Sequence, residues 1–137
     1  METANTNNPV AHPAHYTSHP SGVECIEVIQ YMPAIAANMV KYLWRYELKN
    51  GNEDLAKAAQ YAEWFDARTY ALAVDALTGE ERRAAQVVLD HYIEQGDANG
   101  LGFLLESLLD GQDDWQEVAR VVKFWCALRV TDGSVEP

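Results

Sequence analysis

The sequence predicts an all-α fold: a helical bundle of about five to six helices, built around an antiparallel helical hairpin and preceded by an extended N-terminal arm. Apolar residues recur at helical spacing through most of the chain, and no segment alternates apolar and polar residues between turn signals as a strand would. Glycines close the periodic runs at Gly51, Gly96 and Gly111, where a left-handed cap ends a helix. A length of 137 residues suits one domain with a single core, or a small domain carrying an appended helical segment.

Residues 1–20, METANTNNPVAHPAHYTSHP, hold three prolines and little apolar content and read as the arm. Ser21 opens the first helix, with Glu24 three residues later completing a capping box. Val23, Ile26, Val28, Ile29 and Met32 form its apolar side, and Pro33 breaks it. A second helix runs from about Ala34 to Lys49 and stops at Asn50–Gly51. Asn52 is the expected N-cap of a third, with Glu53 and Asp54 at its positive end. Leu55, Ala58, Ala59, Ala62, Trp64 and Phe65 are expected to carry its buried face to about Ala76, and the short link makes the pair an antiparallel hairpin. Thr78 and Glu81 form a second capping box for a fourth helix to about Gln95. Leu101–Leu109 is a short apolar fifth helix. Asp113 or Asp114 caps a sixth through Arg129. The turn at Gly111–Asp114 echoes that at Gly51–Asp54, with Leu105 and Leu109 where Arg45 and Lys49 would stand. The expected divisions are thus 1–20 (arm), 21–76 (helical domain) and 77–137 (a helical segment packed on it).

Ten basic residues stand against 21 acidic ones, a formal charge of -11. That balance excludes duplex nucleic acid and anionic membrane surfaces as partners, but leaves room for a small anion held in a local basic pocket. No apolar stretch is long enough for a membrane span, and the first residues lack the pattern of a signal peptide. Cys25 and Cys126 lie in apolar runs and read as two buried free thiols.

Lys41, Arg45 and Lys49 stand at i, i+4 and i+8, with Lys57 just beyond the glycine turn. Like charges at that spacing cost a few tenths of a kcal/mol per pair, so an anion is expected to compensate them. Either an internal carboxylate (Glu24, Glu27 or Asp54) or a bound phosphate can do so. Asn38, and Trp44 or Arg45, share that side of the helix with the lysines, while Val40, Leu43 and Tyr46 or Tyr42 are expected to turn elsewhere. Cations beside aromatic rings are the parts of a nucleotide pocket, charge for phosphate and a flat face for a base. Glu24 and Glu27 form an E-x-x-E pair of the kind that carries magnesium in helical enzymes, although Glu24 also has a capping duty. His12, His15 and His19 fall in the proline-interrupted arm, where helical spacing has no geometric force, so no metal site is expected. His91, on an acidic helix, reads as surface. Phosphate loops and nucleophile elbows are absent from the sequence.

The segments HYTS, GVECIEVIQYM and NMVKYLWRYELKNGNEDLAKAAQYAEWF together resemble the small phage nucleotide-kinase-like domain of tailed bacteriophages. The resemblance covers about residues 12–68 and rests on His15, Tyr16, Glu24, Cys25, Ile26, Asn38, Lys41, Tyr42, Trp44, Arg45, Lys49, Gly51, Asp54, Leu55, Lys57, Ala58 and Tyr61. Glu27 stands where the family pattern has aspartate, and Ala37 where it has glycine. What the resemblance implies is a nucleotide-binding protein of the host-cell cytoplasm, with phosphorylation of (deoxy)nucleoside monophosphates as the activity of the characterised type. Lys41 and Arg45 would then act on the transferred phosphate. Lys49 and Lys57 would support them. His15 and Tyr16 would close over the ligand, Trp44 or Tyr61 would stack on the base, and Asn38 would fix sugar or base. Glu24, Glu27 or Asp54 would orient the cations or hold magnesium. Two other readings use the same residues: a non-catalytic binder that sequesters a nucleotide, and an acidic helical module that binds a host protein, with the stripe as internal salt bridges. Apolar residues left over on several helices point to a homo-oligomer.

Overall fold

A computed structural model of the chain describes residues 19–48 and 51–131. Seven helices make up these residues, with no strand among them: α1 (Cys25–Ile29), α2 (Ala34–Arg45), α3 (Asn52–Trp64), α4 (Ala67–Ala76), α5 (Gly79–Gln95), α6 (Gly100–Asp110) and α7 (Trp115–Thr131). The all-α bundle is as the periodicity predicts. No helix of the described residues is long and apolar enough to cross a membrane.

Four boundaries differ from expectation. The second helix ends at Arg45, with Tyr46 as its C-cap, short of the expected Lys49. The first helix begins at Cys25, not Ser21: Glu24 is its N-cap, and the reciprocal capping box runs between Glu24 and Glu27. Ser21 instead holds the preceding loop, its Oγ accepting from the Val23 N–H at 3.2 Å. The expected third helix is two. Phe65 and Asp66 adopt extended backbone, and the Asp66 carboxylate accepts from the Thr69 N–H at 2.8 Å, starting α4 afresh. Such a cap satisfies a backbone donor that a helix start leaves bare. Asn52 is the first residue of α3 and not its cap, which is Gly51 with φ 52°. The two echoing turns therefore differ, since Gly111 closes α6 as a left-handed C-cap while Gly51 opens a helix. At the start of α5, Thr78 is the N-cap but makes no side-chain cap bond; Glu81 accepts from Gln30 Nε2 of the α1–α2 turn instead.

α6 lies in the middle. It touches α2, α4, α5 and α7, and Leu101, Leu104, Leu105 and Leu108 are wholly buried. Burying one such side chain stabilises by roughly 1.5–3 kcal/mol. Only a narrow edge, Phe103, Glu106 and Asp110, reaches water, so the buried end groups of α6 need protein partners. Asn99 supplies one, its side chain accepting from the Leu101 N–H at 2.7 Å. Tyr70 of α4 donates its hydroxyl to the Ser107 carbonyl at 3.1 Å, and Arg82 of α5 donates to the Leu109 carbonyl at 2.6 Å. The α2–α3 hairpin packs on the other side, with α3 against α7 and α1 bridging α2 and α5. Buried apolar residues of all seven helices form one core, in which Cys25 and Cys126 are buried free thiols, each pushed up to about 12 by desolvation.

Close approach of α7 to α6 depends on Gly100, where a Cβ would sit 2.5 Å from the Trp125 ring. Gly100→Ala is therefore expected to lower stability by about 1–3 kcal/mol, read from urea unfolding midpoints.

Candidate functional site

The hairpin register is set near its turn. Arg45 of α2 donates from Nε to Asp54 Oδ2 of α3 at 3.2 Å, with both side chains buried. Further from the turn, Tyr42 stacks on Tyr61, ring centroids 5.9 Å apart and planes 19° from parallel. Receding along α2 thus means advancing along α3, which is the antiparallel arrangement the short link predicts. The stripe of cations does not point one way. Residues four apart on a helix differ by about 40°, and that drift carries Arg45 into the contact with α3 while Lys41 stays half-exposed.

Tyr42 is the hub of the site, although the sequence placed it on another face. Lys41 Nζ lies 4.9 Å from its ring centroid, Arg45 Cζ 5.3 Å and Lys57 Nζ 5.4 Å. A ring face attracts cations through its quadrupole, by about 0.5–1 kcal/mol where water has access. The aromatic pair thus offsets some of the repulsion among neighbouring like charges. Carboxylates offset more. Asp54 serves Arg45, and Glu53 pairs with Lys57 at 3.1 Å, an exposed contact that holds the Lys57 ammonium above its usual range. Lys41 makes no ion pair among the described residues.

The remaining expected residues are spread around this hub. Trp44 is buried on the far side of α2, its ring 4.9 Å from that of His19, so Tyr61 is the ring with an accessible part beside the cations. Asn38 donates to the Ala34 carbonyl at 3.0 Å, within its own helix. Glu27 accepts from the Glu24 N–H at 2.8 Å, so the E-x-x-E pair is engaged in capping. Among the described residues, no group of three or more His, Cys, Asp or Glu could hold a metal ion. His15, Tyr16 and Lys49 lie outside the described residues, as does His12. Trp64, expected in the core, is 53% exposed, because the break at Phe65 ends α3 and sends Phe65 inward in its place. Trp64 stands edge-on to Tyr61, centroids 5.3 Å apart.

His19, a residue to which the sequence gave no role, anchors the chain entering the bundle. Its Nδ1 accepts from the Ser21 N–H at 3.1 Å, which requires the neutral tautomer with hydrogen on Nε2, 2.8 Å from the Tyr92 hydroxyl. Burial, and then the neighbouring His91, pull its pKa down to about 4. His91 is half-buried against His19 and Tyr92, not the surface residue expected from its helix. Glu47 and Asp97 line the same small cavity, of about 190 Å³.

A family model described only as a protein of unknown function, DUF3310, matches residues 10–63. This is less than half of the chain, and nearly the stretch that resembles the phage nucleotide-kinase-like domain. It contains the whole Lys41–Tyr42–Arg45–Lys57–Tyr61 cluster and ends one residue before Trp64. Searches of curated proteins and of solved structures returned no significant match.

Asp54→Ala leaves Arg45 buried beside a lost partner and is expected to cost about 3–5 kcal/mol. The paired replacement Arg45→Met with Asp54→Leu should cost much less in the same denaturation experiment. Acid should also act through His19. Below pH 6.5 the unfolded chain takes up a proton at this residue that the folded chain refuses until about pH 4. Stability therefore falls as pH drops through that window, and His19→Gln should flatten the fall in Tm.

Proposed function

We propose that the chain is a nucleotide-binding protein whose site is the outer edge of the α2–α3 hairpin. The observation that supports this reading is the gathering of Lys41, Arg45 and Lys57 around Tyr42, with Tyr61 stacked alongside. Phosphate is drawn to the ammonium groups of Lys41 and Lys57. A base gains a flat surface on the Tyr61 side. The Glu53–Lys57 contact is solvent-exposed, and pairs of that kind are worth about 0–1 kcal/mol. Exchanging Glu53 for a phosphate oxygen is therefore cheap.

Arg45 plays a different part. Held by Asp54 in the hairpin interior, it is a positioning residue that fixes Tyr42 and adds positive potential from below. Its burial favours binding over catalysis, because a guanidinium locked to a carboxylate cannot easily follow charge as it moves onto a transferred group. Nucleotide sequestration is accordingly the form of the proposal that the geometry supports best. Monophosphate kinase activity is the second form, in which Lys41 and Lys57 carry the phosphoryl group. A homo-oligomer belongs to the same proposal, supported by the exposed Phe124 and Leu128, one turn apart on α7.

Thermal shift against nucleoside mono- and triphosphates, with and without magnesium, tests the binding. A ligand at a hundred times its Kd raises stability by about 2.7 kcal/mol. Lys57→Ala is expected to weaken the best ligand by about tenfold, or ~1.4 kcal/mol, without lowering the Tm of the unliganded protein. A coupled assay for transfer from ATP then separates the two forms: tight binding without turnover supports sequestration. A shift with no nucleotide, or an unchanged Kd in Lys57→Ala, removes the proposal.

A further inference from the structure

Beyond the hairpin edge the aromatic surface does not stop. Trp64, edge-on to Tyr61, forms one wall of a cleft of about 400 Å³ between the end of α3 and the first turns of α7. Trp115 lines the same cleft, and Arg120 and Lys123 stand along it. Tyr42, Tyr61 and Trp64 therefore make a run of touching rings, and Trp115 lines the cleft in which that run ends. Lys41, Arg45 and Lys57 attend its first half, and Arg120 and Lys123 its second. Four of the ten basic residues in this acidic chain, Lys41, Lys57, Arg120 and Lys123, lie along this surface, with Arg45 buried beneath its first half.

From this geometry we infer that the ligand is longer than one nucleotide: a short single-stranded nucleic acid, its successive bases laid on the tyrosine pair and then on the tryptophan cleft. The inference rests on the nucleotide-binding reading and names the substrate class of that site. Every base has a π face, so a row of rings grips a single strand whatever its sequence. A duplex hides those faces inside its own stack and offers only phosphates, which a chain of net charge -11 repels. The cations of the second half are engaged at the surface, Lys123 with Glu63 at 2.8 Å across the cleft and Arg120 with Glu117 at 2.6 Å. Like the Lys57–Glu53 contact these are exposed pairs that phosphate can open. The carboxylates left behind limit the gain from each phosphate, so stacking carries most of the affinity and salt sensitivity is weak.

The test is a titration of the full chain, read by quenching of its tryptophan fluorescence. The probes are deoxyadenosine monophosphate, single-stranded oligodeoxyadenylates of two to eight residues, and a duplex of eight base pairs. The expected result is a Kd that falls at least tenfold from the mononucleotide to the tetramer, with the duplex no tighter than the mononucleotide. In Trp64→Ala the ratio of the two Kd values should collapse toward one, while Lys123→Gln should leave most of the length advantage in place. Circular dichroism and Tm check that each variant is folded. Equal affinity for mononucleotide and tetramer, a length advantage that survives Trp64→Ala, or one that vanishes in Lys123→Gln, overturns the inference and leaves the nucleotide reading standing. Binding of duplex as tightly as single strand overturns it as well. Failure of every probe to bind removes both.

Discussion

The ion pair between Arg45 and Asp54 is the constraint on which the hairpin depends. Two opposite charges taken out of water must meet in good geometry or the desolvation cost goes unmatched. Only one register of α2 on α3 allows this meeting. Once it is met, Tyr42 falls opposite Tyr61, and Lys57 comes to the rim of the same ring. The buried apolar residues of the hairpin, among them Leu43, Leu55 and Ala58, would tolerate a slide along the helices far better, since the hydrophobic effect is not directional. The polar pair thus selects among packings that hydrophobic burial alone leaves close in energy.

That selection reconciles two properties that otherwise pull apart. The chain as a whole is strongly acidic, yet the hairpin edge collects positive groups. Ring faces and single carboxylates hold those groups in place without cancelling them all. A local patch of this kind acts over less than about 10 Å at moderate ionic strength. It can therefore govern a ligand lying on the surface while the distant acidic helices discourage larger polyanions.

Much of this was legible in the residues. Helical spacing foretold the all-α fold, and the terminators Gly96 and Gly111 both closed helices in the left-handed conformation, at φ 64° and 66°. Asp54 was among the carboxylates expected to neutralise the stripe. What escaped the sequence was mostly competition between local signals. Ser21 and Glu24 fit a capping box as well as Glu24 and Glu27 do, and only the packing of His19 on Tyr92 and Trp44, with the turn from His19 to Gly22, shows why no helix starts before Glu24. The break at Asp66 could have been read from Asp66 and Thr69, an N-cap pattern hidden inside an otherwise uninterrupted run. Tyr42 was set aside because a helical wheel has no knowledge of the partner helix. Its ring gains its importance from Lys57 and Tyr61, residues on the far side of the turn. The roles of His15, Tyr16 and Lys49 fall outside the described residues.

The enclosed α6 bears on how the molecule comes into being. Apart from the edge at Glu106 and Asp110 this helix is buried, and Asn99 at its start, Tyr70 of α4 and Arg82 of α5 hold its end groups. It has reason to settle only once a sleeve of neighbours closes about it, and that sleeve draws on α2 as well as α7. A chain still lacking α7 would leave part of α6 and the inner side of α3 in water, so both reach full burial only when α7 docks.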